Sequence, residues 1–254
     1  MPKMRYPLTA LFIALLCCSV QLQAAETLNL SSSEQATPVL EFYTSQGCSS
    51  CPPAEQWLST LTHTPELWSG LIPLAFHVDY WDSLGWADAF ANPSYSARQR
   101  AYEQSGGSRS VYTPGFMVAG NEWRGWFGGE QLRLPNTPKV GTLKLQLSGD
   151  QVHLSFAAVD NPPAGLTAHV ARLGFGLESK VARGENAGKV LKHDFVVLTL
   201  QQVAASSSNQ WQTQLQADPR GERQALVAWL SVPGDPAPYQ AVAGWLSSPA
   251  PKQP

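Results

Sequence analysis

The stretch VLEFYTSQGCSSCPP, residues 39–53, joins a strand-like run to a helix-like run. Its first five residues have the apolar and aromatic composition of a buried strand. The two prolines at its end open a segment in which apolar residues recur at helical spacing. Cys48 and Cys51 stand between the two runs, and a helix N-terminus stabilises a thiolate there. Because a thiolate is the species that attacks disulfides, this placement predicts thiol–disulfide exchange.

The first residues of the chain read as a targeting segment. Lys3 and Arg5 precede a short apolar run at residues 8–20, and Ala24 and Ala25 offer a cleavage site. This pattern predicts a secretory signal peptide over residues 1–25, so we expect a periplasmic or secreted protein. The apolar run is too short for a comfortable membrane span, so stable membrane insertion is not expected.

Composition limits the function further. Of the 4 cysteines, two lie inside the predicted signal, which leaves a single CxxC pair. One such pair is not the framework of a disulfide-rich scaffold. The formal net charge is −2, and the sequence contains no block of Lys or Arg. Nucleic-acid binding and binding to an anionic membrane are therefore unsupported.

The two halves of the chain differ in pattern. Residues 37–134 alternate strand-like and helix-like stretches, with Asn92-Pro93 as the predicted start of a second helix. After the turn-rich stretch at residues 135–138, residues 139–248 read as one short strand after another, which suggests a β-sandwich. We therefore predict two domains, an α/β domain over 37–134 and an all-β domain over 139–248.

Three pieces of the first half resemble the thioredoxin fold: the strand–CxxC–helix start, the Thr113-Pro114 dipeptide before a strand, and the glycine-turned hairpin after it. More narrowly, residues 43–53, 77–82 and 112–114 resemble a secreted or periplasmic thioredoxin-like family catalogued as a domain of unknown function. The resemblance implies an α/β thioredoxin-like domain followed by an all-β sandwich-like domain. It also implies that Pro114 is cis and that Thr113 lends backbone groups to a bound peptide. The Ser-Ser pair between the cysteines departs from the familiar Gly-Pro, so no redox potential follows from the resemblance.

The cysteines allow three interpretations. In an exported thiol–disulfide oxidoreductase, Cys48 is the attacking thiol, expected to be the more exposed, and Cys51 is the resolving thiol. In a non-enzymatic binding or adaptor protein, the same pair is a permanent disulfide. In a copper(I) carrier, the two sulfurs hold the metal. A zinc site is not expected, since a lone CxxC lacks a second ligand pair.

Other residues are candidates for supporting roles. Glu41, on the strand before the motif, is expected to take a proton from the resolving cysteine if it is buried, whereas an outward-facing Glu41 has no such role. Tyr80 and Trp81, with Trp86 and Trp126, could form an apolar rim where an extended peptide docks. Ordinary core packing is the alternative for these aromatic residues.

Two patterns are not assigned a ligand. His77 shares a strand face with Asp79 and lies near Asp82, but no second histidine is close in sequence, and His193 is one of several scattered histidines without ligand spacing. The stretch RGENAGK, residues 183–189, departs from a phosphate loop in its spacing and reads as a charged turn that could face the CxxC segment. We therefore predict no metal and no cofactor, and we expect protein thiols or disulfides and a redox partner protein as partners.

Overall fold

The computed structural model describes residues 26–204 and 208–246. The predicted signal peptide, residues 1–25, lies outside the described residues. Strand makes up 41% of the described residues and helix 14%. None of the helices in the described ranges has the length and apolar character needed to cross a membrane.

The first half of the described chain contains both α-helices. Its elements are β1 (Thr27–Ser31), β2 (Val39–Thr44), α1 (Pro52–Thr60), β3 (Ile72–His77), α2 (Pro93–Gln104), β4 (Gly115–Val118) and β5 (Asn121–Glu122). The predicted helix after the cysteines is confirmed as α1. The predicted cap of α2 is also confirmed, because the side-chain oxygen of Asn92 accepts a hydrogen bond from the Ser94 N–H at 2.9 Å.

The second half is built from strands. They are β6 (Gly141–Ser148), β7 (Gln151–Ala158), β8 (Thr167–Phe175), β9 (Leu177–Lys180), β10 (Val190–His193), β11 (Val196–Val203), β12 (Gln210–Gln214), β13 (Arg223–Ser231) and β14 (Pro238–Trp245). Strands β6 and β7 form a hairpin, with Ser148 opposite Gln151. Strands β10 and β11 are separated at Phe195, which adopts a φ of 60°.

One large sheet crosses the whole protein. Its strand order is β14-β13-β8-β11-β3-β2-β4-β5. Strands β2 and β3 are parallel, and β11 pairs in parallel with the other edge of β3. At this junction the Ala75 N–H donates to the Phe195 carbonyl at 2.9 Å. Strands from both halves of the chain therefore share one sheet.

The predicted fold class, an α/β thioredoxin-like domain followed by an all-β sandwich-like domain, is wrong. The described protein is mostly β-sheet, and the eight-stranded sheet does not stop at the end of the first half. The expectation failed because the sequence alone does not reveal the pairing of β11 with β3, which continues the sheet from the first half into the second. The turn-rich residues 135–138 lack regular secondary structure and connect β5 of the large sheet to β6 of the four-stranded sheet, but later strands of the second half return to the large sheet.

The central strands of the second half are buried on both faces. In β13, alternate residues enter two different cores: Ala225, Val227 and Trp229 pack with the first half, and Leu226, Ala228 and Leu230 pack against a second sheet. That sheet has the order β1-β6-β7-β12, so this part of the molecule fits a β-sandwich. The hairpin of β9 and β10 forms a third, two-stranded sheet, and β10 packs against α1.

Candidate functional site around the Cys48–Cys51 disulfide

Cys48 and Cys51 form a disulfide in the turn that enters α1. Their Cα atoms are 5.5 Å apart. Cys51 is the N-cap residue of α1, and its carbonyl accepts hydrogen bonds from the N–H groups of Ala54 and Glu55. Pro52 and Pro53 occupy the first helical positions, where their missing N–H groups cost nothing. The turn and the helix start thus bring the two sulfurs together with little distortion of the backbone.

Both cysteines are buried, with a relative exposure of 0% for each. The expectation that Cys48 is the more exposed of the two is therefore wrong, and only Ser49 and Ser50 between them reach the surface. The Ser50 hydroxyl lies 3.4 Å from the Cys48 sulfur. A partner thiol can reach this disulfide only after the residues that bury the two sulfurs have moved.

The loop that joins β9 to β10, residues 181–189, called here the β9–β10 loop, is hydrogen-bonded to the backbone of the CxxC segment. The buried side chain of Asn186 donates from Nδ2 to the carbonyls of Gln46 and Cys48, both at 2.9 Å. The carboxylate of Glu185 accepts a hydrogen bond from the Ser49 N–H at 3.1 Å. Hydrogen bonds from the Ser49 hydroxyl and from the Ser49 N–H keep the pKa of Glu185 below its usual value. The charged turn predicted at residues 183–189 thus faces the CxxC segment.

The predicted peptide-binding residues Trp81 and Thr113 lie together beside the CxxC loop. Trp81 donates from Nε1 to the Thr113 hydroxyl at 2.9 Å. A Cβ atom built on Gly47 would lie 3.0 Å from the Trp81 Cβ, so a larger residue there requires Trp81 to move by a few tenths of an ångström. The Thr113-Pro114 peptide bond is cis. Trp81 and Thr113 are half-buried, whereas Pro114 is buried.

Tyr80 contributes to the same surface from the adjacent position. Its hydroxyl donates to the side-chain oxygen of Gln99 at 3.1 Å, and its side chain is half-buried. Burial raises the pKa of Tyr80 to about 12, so the hydroxyl stays protonated at neutral pH. Trp86 donates from Nε1 to the Gln46 side chain at 2.7 Å and so lies near the CxxC loop as well. Trp126 instead packs on Phe116.

Glu41 is buried, but the structure does not bring it to the cysteines. Its two oxygens accept hydrogen bonds from Nε and Nη2 of Arg98, each at 2.7 Å. The hydroxyls of Tyr43 and Tyr102 donate to the same carboxylate. Because neighbouring strand residues point to opposite faces, Glu41 and Tyr43 face α2, and Thr44 faces α1. Glu41 therefore lies on the face of the sheet away from the disulfide helix.

Glu55, on α1, is the buried carboxylate on the disulfide side. Its N–H donates to the Cys51 carbonyl at 3.0 Å, and its Oε1 accepts a hydrogen bond from the Thr44 hydroxyl at 2.6 Å. Its Oε2 lies 2.8 Å from Nδ1 of His193 on β10. The angles at this contact do not satisfy a hydrogen bond, and both atoms are buried without a hydrogen-bond partner.

His77 lies next to this pair, at the end of β3. Its ring centroid is 5.3 Å from that of His193, and its Nδ1 lies 2.7 Å from the Asp88 carboxylate. Burial lowers the pKa of His77, but Asp88 outweighs burial, so the pKa is raised above its usual value. Asp79 and Asp82 do not join the cluster, because Asp79 accepts from Ser96 and Asp82 from the Asp88 N–H.

Sequence reasoning missed Glu55, Asp88 and His193. Glu55 precedes Leu58 by three residues on α1, so a carboxylate on a buried helix face was a readable signal. His193 gave no such signal, since it follows His77 by more than a hundred residues and reaches it only through the packing of β10 on α1.

Solved structures resemble this fold at low sequence identity. The X-ray crystal structure of protein AGR_C_4864 from Agrobacterium tumefaciens is 22% identical, covers 88% of this chain and 99% of that chain, and superposes with a TM-score of 0.58. HBP35 of Porphyromonas gingivalis is 14% identical, with coverage of 88% and 80% and a TM-score of 0.53. At these identities the likeness shows the fold alone. No curated protein matches the chain.

The family comparison covers most of the described residues. Residues 39–231 match the family described as "Protein of unknown function (DUF1223)", a span that includes the cysteines, the β9–β10 loop and most strands of the large sheet. The predicted resemblance to a domain of unknown function is confirmed, whereas its thioredoxin-like part is not. The chain belongs to the DUF1223 family of proteins of unknown function.

Proposed function

We propose that this protein is an exported thiol–disulfide oxidoreductase that acts on protein thiols through Cys48 and Cys51. The observation that supports this proposal best is the position of the disulfide, which closes a very short ring at the start of α1. A ring of four residues limits the unfolded chain so little that it contributes only about 2 kcal/mol to stability. A stabilising role alone therefore explains the pair poorly.

The exchange reaction uses the two sulfurs in turn. In the reduced protein, the Cys48 thiolate attacks one sulfur of a partner's disulfide, and the other partner sulfur leaves as a thiolate. The Cys51 thiolate then attacks the Cys48 sulfur of the mixed disulfide and releases the second partner thiolate. The two electrons pass from the cysteine pair to the partner, and the reverse sequence oxidises a partner dithiol. The Ser50 hydroxyl, 3.4 Å from the Cys48 sulfur, can donate to a thiolate formed there.

Partner binding is assigned to the half-buried surface beside the CxxC loop. Trp81 and Tyr80 present aromatic faces, and the Thr113-Pro114 bond supplies backbone groups to an extended peptide. Since Cys48 is buried and Asn186 bonds its carbonyl, we propose that the β9–β10 loop moves aside when a partner docks.

A non-enzymatic binding or adaptor role is the second candidate. The complete burial of both cysteines favours it, because a permanent disulfide has no need of access. In that case the half-buried aromatic surface binds a partner, and the disulfide only shapes the loop.

The reduction potential of the Cys48–Cys51 pair decides between the two candidates. The protein is equilibrated in thiol redox buffers, and the free thiols are alkylated and counted by mass. A potential between about −120 and −270 mV is expected for an exchanging pair, whereas a value below about −300 mV marks a structural disulfide and contradicts the enzyme proposal.

A matched variant tests the catalytic role directly. We expect Cys48→Ser/Cys51→Ser to lose all reduction of a model protein disulfide, with a loss of unfolding free energy of about 2 kcal/mol. Ser49→Ala is the control, since it alters the same turn but keeps both sulfurs and the Ser50 hydroxyl. Equal activity of the cysteine variant and the wild type would contradict the assignment.

A further inference from the structure

Three buried side chains from different elements converge beside α1: Glu55, His77 and His193. One potential ligand atom from each lies within 4.8 Å of the other two. Their relative exposures are 6%, 1% and 2%, so the three groups meet in the interior rather than on a surface where charged groups gather by chance. They come from α1, β3 and β10, and only the tertiary fold assembles them.

Each of the three side chains is held in place by its other polar atom. Glu55 Oε1 accepts from Thr44 at 2.6 Å, and His77 Nδ1 lies 2.7 Å from Asp88. His193 Nε2 lies 3.2 Å from the Ser179 hydroxyl. A metal-bound histidine typically uses its second nitrogen in this way, on a carboxylate or another polar group that orients the ring.

Two of the converging atoms have no hydrogen-bond partner. Glu55 Oε2 and His193 Nδ1 lie 2.8 Å apart, yet neither makes a hydrogen bond of acceptable geometry. The contact is within ion-pair distance but lacks hydrogen-bond geometry, so each atom still has room for a partner that lies between them. Two ligand atoms that share a cation stand side by side in this way without bonding to each other.

The charges of the cluster fit a divalent cation. Glu55 and Asp88 place two carboxylates in the protein interior, where His193 and His77 face them at 2.8 Å and 2.7 Å, and a metal-bound imidazole supplies a lone pair without adding charge. Burial of two carboxylates is costly unless a cation compensates them. One divalent ion among Glu55, His77 and His193 balances both negative charges.

We propose that Glu55, His77 and His193 bind a divalent transition-metal ion of the zinc type. Two imidazole nitrogens and one carboxylate oxygen are a ligand set that suits Zn²⁺ and its first-row neighbours rather than Ca²⁺ or Mg²⁺, which prefer oxygen ligands. The site uses neither cysteine, so it is distinct from the thiol chemistry proposed above. Since all three ligands are buried, the ion enters as the chain folds or when the β9–β10 loop opens.

Metal content after refolding tests the proposal. The protein is unfolded in chelator, refolded with Zn²⁺ or Co²⁺, freed of loose metal, and assayed by elemental mass spectrometry and by the visible spectrum of Co²⁺. We expect one ion per chain in the wild type and in Cys48→Ser/Cys51→Ser. We expect Glu55→Gln and His193→Gln to lose the ion, and Asp88→Asn to bind it roughly 10- to 100-fold more weakly because Asp88 orients His77.

The matched controls are His63→Gln and His153→Gln, which remove exposed histidines outside the cluster and keep the ion. Circular dichroism establishes that each variant is folded. X-ray absorption of the zinc-loaded wild type gives a readout without any substitution, with nitrogen and oxygen but no sulfur expected around the metal. Three outcomes would each overturn the proposal. They are sulfur in the shell of ligands around the metal, refolded wild-type protein that contains no bound metal, and an ion retained by folded Glu55→Gln. The reduction potential of the disulfide is measured separately, so either proposal can fail alone.

Discussion

Glu41 and Glu55 are two buried carboxylates on opposite faces of the large sheet at strand β2. Both oxygens of the Glu41 carboxylate accept hydrogen bonds, from Arg98 and from two tyrosine hydroxyls. The Glu55 carboxylate has one bonded oxygen and one that faces His193 without a hydrogen bond. Burial alone therefore does not mark a functional acid. An acid with an atom left available for a ligand is the better candidate, whereas a fully paired one stabilises the fold.

The largest effect on stability is expected at Glu41. Glu41→Gln leaves the buried Arg98 guanidinium without an anion, so we expect the free energy of unfolding to fall by about 3–5 kcal/mol. Urea denaturation measures the change. Glu34→Gln is the control, since the Glu34 side chain is 60% exposed and pairs with Lys139 only at 3.7 Å, and it should cost at most about 1 kcal/mol. A loss at Glu41 no greater than at Glu34 would refute the structural role.

An intermediate effect, on the rate of disulfide reduction, is expected at Asn186, which bonds the β9–β10 loop to the CxxC segment. Asn186→Ala removes two hydrogen bonds to the CxxC segment and one from Lys189 within the loop. The two bonds to the CxxC segment are each worth about 1 kcal/mol, so the β9–β10 loop should open roughly tenfold or more often. We expect a corresponding increase in the rate at which dithiothreitol reduces the disulfide. Asn161→Ala, an exposed position outside this loop, is the control. An unchanged reduction rate would mean that Asn186 does not limit access to Cys48.

The smallest effect on stability is expected at Glu55. In the metal-free protein, Glu55→Gln keeps the oxygen that accepts from Thr44, and its new amide can donate to His193. We therefore expect a change in unfolding free energy within about 1 kcal/mol. The same urea experiment compares this variant directly with Glu41→Gln. If the two substitutions lower the free energy of unfolding by the same amount, the distinction between a structural carboxylate and a ligand carboxylate does not hold.

The error in fold class has a physical origin that can be read in particular strands. Residues 225–230 of β13 are an unbroken apolar run, ALVAWL, which is typical of a strand covered on both faces. Such a strand belongs to the centre of a large sheet, so the run itself argued against a separate sandwich. The pairing of β11 with β3 left no comparable signal. The sequence of a strand does not identify a pairing partner that lies more than a hundred residues away.

The sequence by itself determined the local features of this protein: the cysteine pair, the proline-led start of α1, the cap of α2 and the alternating strands of the second half. These depend on contacts between residues close in the chain, where spacing and side-chain type are sufficient. Only the tertiary structure decided that both halves share one sheet and that Glu41 faces Arg98. It also decided that Asn186 bonds the Cys48 carbonyl and that Glu55 meets His77 and His193. Each of these depends on which face of a strand meets which distant element, and packing of the whole chain sets that choice.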